Sequence, residues 1–122
     1  MIIRRIFDFL WLSAILVLPT ACHNEDTIRD LSASQVYFFY QDSCFHCHDA
    51  AKYIKNKYPH LKIISRDIKL PGNWGLFRQA VGDYNITGAT GTPLICFGDK
   101  YIMGWSQDDE YLFDIYIKPY LP

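Results

Sequence analysis

The sequence has almost no net charge: 12 Lys and Arg stand against 13 Asp and Glu, a formal balance of -1. With no basic field to hold phosphates, no nucleic-acid partner is expected. Cysteine is sparse as well. The four residues at positions 22, 44, 47 and 96 are too few and too unevenly placed for a dense disulfide scaffold, and suggest separate tasks. No second cysteine pair completes a four-ligand structural zinc site. The apolar run from Phe9 to Leu18 is shorter than the ~20 residues that span a bilayer comfortably. What remains is one domain's worth of chain, 122 residues, half of them apolar and 16% aromatic, enough for a core.

The first 22 residues differ from the rest. Arg4 and Arg5 precede the uncharged stretch FLWLSAILVL, and the small residues Thr20 and Ala21 follow. That order of positive, apolar and small segments predicts a signal peptide over 1–22 and hence export. The stretch LVLPTAC resembles the lipobox of bacterial lipoproteins, although Pro19 stands where Leu is usual and Leu18 lies one place further out. The resemblance implies lipidation of Cys22 and a membrane anchor in the bacterial cell envelope; ordinary cleavage near Ala21 would leave Cys22 a free thiol. Residues 23–34 are polar and without hydrophobic period, as suits a flexible tether to a domain over 35–122.

In DSCFHCHDA, residues 42–50, two cysteines and two histidines crowd into five positions. C-x-x-C fits a redox dithiol, half of a thiolate zinc site or, with His48 following, a haem attachment motif. The surroundings weigh these. VYFFY (36–40) reads as a strand buried on both faces. Ser43 is placed to cap a helix whose buried stripe is Cys47, Ala51, Ile54 and Tyr58, stopped by Pro59. LKIISRDI (61–68) is a second strand, and Asn73 caps a second helix burying Trp74, Phe77, Val81 and Tyr84. PLICF (93–97), the turn Gly98-Asp99 and KYIMGW (100–105) form a hairpin. Ser106 and Asp109 form a capping box for a last helix, which Lys118-Pro119 ends.

The order β-α-β-α-β-β-α, with C-x-x-C at the first strand-to-helix junction, resembles the thioredoxin superfamily: an α/β thioredoxin fold, a central mixed sheet flanked by helices. TGATGTPLICFGDKYIMGW (87–105) looks like that family's proline loop and hairpin, and Gly91-Thr92-Pro93 is similar to the G-T-P of extracytoplasmic disulfide isomerases. The resemblance implies a cis Pro93, with the backbone of Thr92 offered to a substrate strand beside Cys44. It also implies a redox-active Cys44–Cys47 disulfide.

A motif held between a buried strand and a packed helix leaves little room for a macrocycle, which weakens the haem reading; Met103, a conceivable second ligand, falls in a hairpin strand. Cys44, in the first helical turn, is the expected nucleophile, because free amides and the helix dipole stabilise a thiolate there. Cys47 is the expected resolving thiol, and His46 a further stabiliser of the Cys44 thiolate. His48 reads as an exposed helix residue and Cys96 as a small buried hydrophobe.

Two features depart from thioredoxin. Phe38 stands where a buried acid is usual, six residues before Cys44, so a proton leaving Cys47 must go through water or a histidine; and TGA lengthens the loop before the proline. The function implied is an exported thiol–disulfide oxidoreductase acting on cysteine-containing envelope proteins, needing a regenerating redox partner but no cofactor or metal. With no room for a dimerisation domain, a monomer is expected. The alternative from another class is a thioredoxin-fold copper or zinc carrier, or a structural envelope component.

Overall fold

The computed structural model describes residues 31–122; the expected signal peptide, Cys22 and the tether as far as residue 30 lie outside the described residues. In chain order the elements are β1 (Val36–Tyr40), α1 (Phe45–Lys57), β2 (Ile63–Asp67), α2 (Pro71–Asp83), β3 (Leu94–Phe97), β4 (Lys100–Met103), α3 (Gln107–Tyr116) and a 3-10 turn (Lys118–Tyr120). This is the expected β-α-β-α-β-β-α order. The sheet runs β2-β1-β3-β4. β1 and β2 are parallel, Val36 opposite Ile63 and Tyr40 opposite Asp67, while β3 lies antiparallel to both β1 and β4. No helix among the described residues is long and apolar enough to cross a membrane.

β1 is apolar throughout because it is central and covered on both sides. Val36 and Phe38 point into one cluster with Cys47, Ala50 and Ile54 of α1 and Phe113 of α3. Tyr37 and Phe39 point the other way, into a cluster with Phe77 and Ala80 of α2, Leu94 and Cys96. The dithiol helix and α3 thus share one face of the sheet, and α2 covers the other. Phe39, Phe77 and Phe113 are almost wholly buried, each contributing on the order of 2–3 kcal/mol of transfer free energy.

Several local expectations shift. The buried stripe of α1 is Cys47, Ala50 and Ile54; Ala51 is exposed and Tyr58 only half-buried. α2 starts at Pro71 with Leu70 as N-cap, so Asn73 lies inside it and donates instead to the carbonyl of Asp67 (3.0 Å). Its buried residues are Phe77 and Ala80; Trp74 is exposed, stacked on Phe77, with the Arg78 guanidinium 5.9 Å from its ring centroid. Ser106 is the N-cap of α3, but its hydroxyl bonds the Asp109 carboxylate (3.0 Å) rather than a helix amide. Asp108, Asp109 and Glu110 in that first turn complement the helix dipole.

The hairpin turn falls at Gly98-Asp99 as expected. Gly98 has φ +77, and an added Cβ would sit 2.9 Å from the Tyr120 hydroxyl and 3.3 Å from the Ala33 carbonyl, so only glycine fits. Residues 31–34, read from sequence as the end of the tether, lie against the domain. Leu31 packs on the α2-side cluster, Ser32 N–H donates to the Tyr37 hydroxyl (3.2 Å), and the Tyr120 hydroxyl donates to Ala33 O (2.9 Å).

Candidate active site

β1 ends at Tyr40, and a short turn, closed by the Cys44 amide on the Gln41 carbonyl (3.1 Å), brings the chain to the start of α1. Cys44 itself, not Ser43, is the N-cap: its backbone is extended (φ -87, ψ 109) and its sulfur accepts the amide of Cys47 at 3.0 Å. A sulfur in that place does what a serine oxygen does at other helix starts, taking up a free N–H and sitting at the positive end of the dipole. The two cysteines are joined in a disulfide with their Cα atoms 5.2 Å apart. They differ in exposure. Cys44 is half-exposed, whereas Cys47, one turn on, is 3% exposed and belongs to the core.

The second half of the site comes from the loop before β3. The Thr92–Pro93 peptide bond is cis, Pro93 is buried, and its carbonyl accepts the amide of Gly104 (2.8 Å). The carbonyl of Thr92 lies 3.4 Å from Cys44 Sγ, within reach of an S–H donated by the reduced thiol. Four residues named from sequence, Cys44, Cys47, Thr92 and Pro93, therefore meet at one end of the sheet, though 48 positions separate the two halves.

The histidines are placed differently from one another. His46 is exposed, edge-on to Phe45 with ring centroids 6.1 Å apart, and it lines a groove of about 620 Å³ together with Asp49, Lys52, Tyr53, Trp105 and Glu110. No hydrogen bond joins His46 to Cys44 among the described residues. His48 is exposed as expected, yet its Nε2 lies 2.8 Å from the carbonyl of Asp42, holding the turn just ahead of Cys44. Phe45, between the cysteines, is 72% exposed, an apolar side chain beside the reactive sulfur.

Other groups had no signal in a local motif. Trp105 follows β4 rather than lying in it, after Gly104 at φ +89, and its ring contacts Tyr53 and Phe113 beneath the dithiol helix. Asp114 of α3 accepts from Tyr53 (2.8 Å) and Lys57 (2.8 Å) of α1 and from Tyr58 (2.6 Å) at its C-cap. Burial pushes the Asp114 carboxyl up, but the hydrogen bonds from Lys57, Tyr58 and Tyr53 outweigh it and hold the group below its usual range. Cys96 is a buried free thiol on the α2 face of the sheet. Burial pushes it up to about 12, against a small downward pull from Tyr84 and with a further rise from Asp83. No group of three or more His, Cys, Asp or Glu among the described residues is arranged to hold a metal ion.

No family model matches the chain, and no curated protein matches it. Among solved structures, a glutaredoxin from Archaeoglobus fulgidus is 19% identical, with 72% of this chain and 89% of that one covered and a TM-score of 0.49. A buckwheat glutaredoxin, solved as a glutathione complex, is 17% identical, with 70% and 74% covered and a TM-score of 0.51. The chain has the thioredoxin fold. The likeness to the buckwheat structure, the sheet order and the mixed strand directions agree on this. Within a thioredoxin fold the Cys44–Cys47 disulfide lies where β1 passes into α1, at the end of the sheet where the parallel strands finish.

Proposed function

We propose that this protein is an exported thiol–disulfide oxidoreductase that exchanges disulfides with cysteine-containing envelope proteins through Cys44 and Cys47. The observation that carries the reading is the half-exposed Cys44 at a helix N-terminus, joined to a buried Cys47 and 3.4 Å from the Thr92 carbonyl. In the reducing direction the Cys44 thiolate attacks a substrate disulfide, one substrate sulfur leaves as a thiolate, and a mixed disulfide remains on Cys44. Cys47 then attacks Cys44 Sγ, expels the second substrate sulfur and closes the intramolecular disulfide; the oxidising direction is the reverse. The backbone of half-buried Thr92 is the hydrogen-bonding partner for the substrate segment, and His46 adds electrostatic support to the Cys44 thiolate.

Export and anchoring rest on the positive, apolar and small segments of residues 1–22 and on Cys22. A second redox protein must reset the dithiol after each turnover.

The test uses the purified chain with a model disulfide and with a reduced peptide. Cys44→Ser should lose exchange in both directions, whereas Cys47→Ser should hold partners as long-lived mixed disulfides; trapping by Cys44→Ser instead reverses the two roles. Stoichiometric copper or zinc binding without exchange would favour a metal carrier. Cys22→Ser should move the mature protein from membranes to the soluble envelope fraction, and unchanged membrane association removes the lipid anchor. The measured reduction potential then assigns oxidant or reductant.

A further inference from the structure

On the face of the sheet away from Cys47 lies a cavity of about 420 Å³, within the size range of small-molecule sites. Its wall is aromatic. Tyr37 of β1, Tyr101 of β4 and Tyr84, the residue after α2, line it together with the buried Cys96 of β3. Cys96 stands opposite Tyr37 on one side and Tyr101 on the other, so these three side chains form a row on one face across three strands. The Tyr84 and Tyr101 rings meet at a tilt of 43°, with centroids 5.2 Å apart.

The charge at this cavity is of one sign. Asp83 and Asp99, both exposed, line it, and no Lys or Arg among the described residues does. Asp99 has Lys100 at 3.6 Å, an exposed pair of little strength. The negative charge reaches the interior: burial first, and then neighbours that include Asp83, raise the Tyr84 hydroxyl and the Cys96 thiol above their ordinary values.

The polar groups around the cavity are already engaged with one another. The Tyr84 hydroxyl donates to the Gly98 carbonyl, the Tyr37 hydroxyl accepts the Ser32 amide (3.2 Å), and the Tyr120 hydroxyl donates to the Ala33 carbonyl (2.9 Å). A primary ammonium or a guanidinium would bring N–H donors that lose water and find these acceptors taken, which is costly. A quaternary ammonium has no N–H to satisfy. Its methyl groups pack on aromatic rings, and its positive charge is attracted by them.

We propose that this cavity binds a small quaternary ammonium compound, held by Tyr37, Tyr84 and Tyr101 and drawn in by Asp83 and Asp99. The ligand is a free solute rather than a phosphocholine headgroup, because the carboxylates that attract the ammonium repel an attached phosphate. The site is separate from the dithiol and does not depend on the oxidoreductase reading.

Choline is the probe, and dimethylbutanol, its uncharged carbon counterpart, is the control. Titrated into the isotope-labelled full chain, choline should shift the amide signals of Gly98, Asp99 and Tyr101, and it should bind at least about fivefold more tightly than the alcohol. Equal affinities, or shifts confined to other residues, overturn the proposal. Tyr101→Leu, at a position 36% exposed and therefore tolerant of change, should weaken choline about fivefold while disulfide exchange at Cys44 stays as it was. Unaltered choline binding in that variant removes the rings from the account and overturns the proposal as well. Asp83→Asn should weaken choline about twofold at low salt and less at high salt; Lys100→Gln, which takes away the cation beside Asp99, should tighten it. Phosphocholine should bind more weakly than choline, and equal or tighter binding overturns the assignment to a free solute.

Discussion

A sulfur in the place of a capping oxygen gives Cys44 two sources of stabilisation that need no other side chain: the amide of Cys47 and the end of the α1 dipole. His46 is then an addition, and its effect should be small. An exposed polar side chain near a half-exposed sulfur contributes on the order of 1 kcal/mol, and about 1.4 kcal/mol corresponds to roughly 30 mV for two electrons. His46→Tyr should therefore lower the reduction potential by about 20 mV at most, read against a glutathione redox buffer, with the circular dichroism spectrum unchanged. No change in potential would assign activation to the helix terminus alone.

Cys96 is the opposite case, since burial holds its thiol neutral. At about pH 8 an alkylating reagent should modify the reduced Cys44 and leave Cys96 untouched until the protein is unfolded, as peptide mass mapping will show. These residues were legible in the sequence because their chemistry is local: C-x-x-C after an apolar run, G-T-P before another, a lone cysteine inside a strand. Ser43 was misread as the cap because a serine beside a cysteine is the better capper by propensity, and only the backbone turn shows which of the two occupies the position.

At the level of elements, order was readable because turn residues separate every strand and helix, whereas helix phase was not. Ala50 and Ala51 are adjacent and identical, and Ala80 and Val81 nearly interchangeable, so periodicity alone could not decide which of each pair faces the sheet. Pro71 was the overlooked signal for the start of α2, since proline favours the first helical turn.

The Asp114 junction was wholly invisible, because its partners lie 56 to 61 positions away in sequence. It ties the dithiol helix to α3, and its loss should be felt in stability. Asp114→Ala leaves the half-buried hydroxyls of Tyr53 and Tyr58 without their acceptor and should cost about 2 kcal/mol in urea unfolding, the scale of hydrogen bonds to a charged group. Asp114→Asn, which keeps a carbonyl oxygen, should cost less than half of that.

For residues 31–122 as a whole, the titrating groups define a window. Asp114 is depressed below its ordinary 3.8, so its contribution is present above that value and is lost as pH falls through the lower folded value. Cys96 is raised from 9.0 to about 12 and Tyr58 from 10.0 to about 12. Their contributions are complete below the unfolded values and disappear as pH climbs toward 12. Urea midpoints should be highest between about pH 4 and about pH 9 and fall on both sides. In Asp114→Asn the acid limb should flatten, while the alkaline limb set by Cys96 persists.

The hydrogen bonds at Ser32 and Ala33 fix where the chain enters this unit. From that entry β1 runs for five residues, about 17 Å, and ends beside the turn that carries Cys44. Within residues 31–122, the entry of the chain and the dithiol thus lie at opposite ends of the central strand, about one strand length apart.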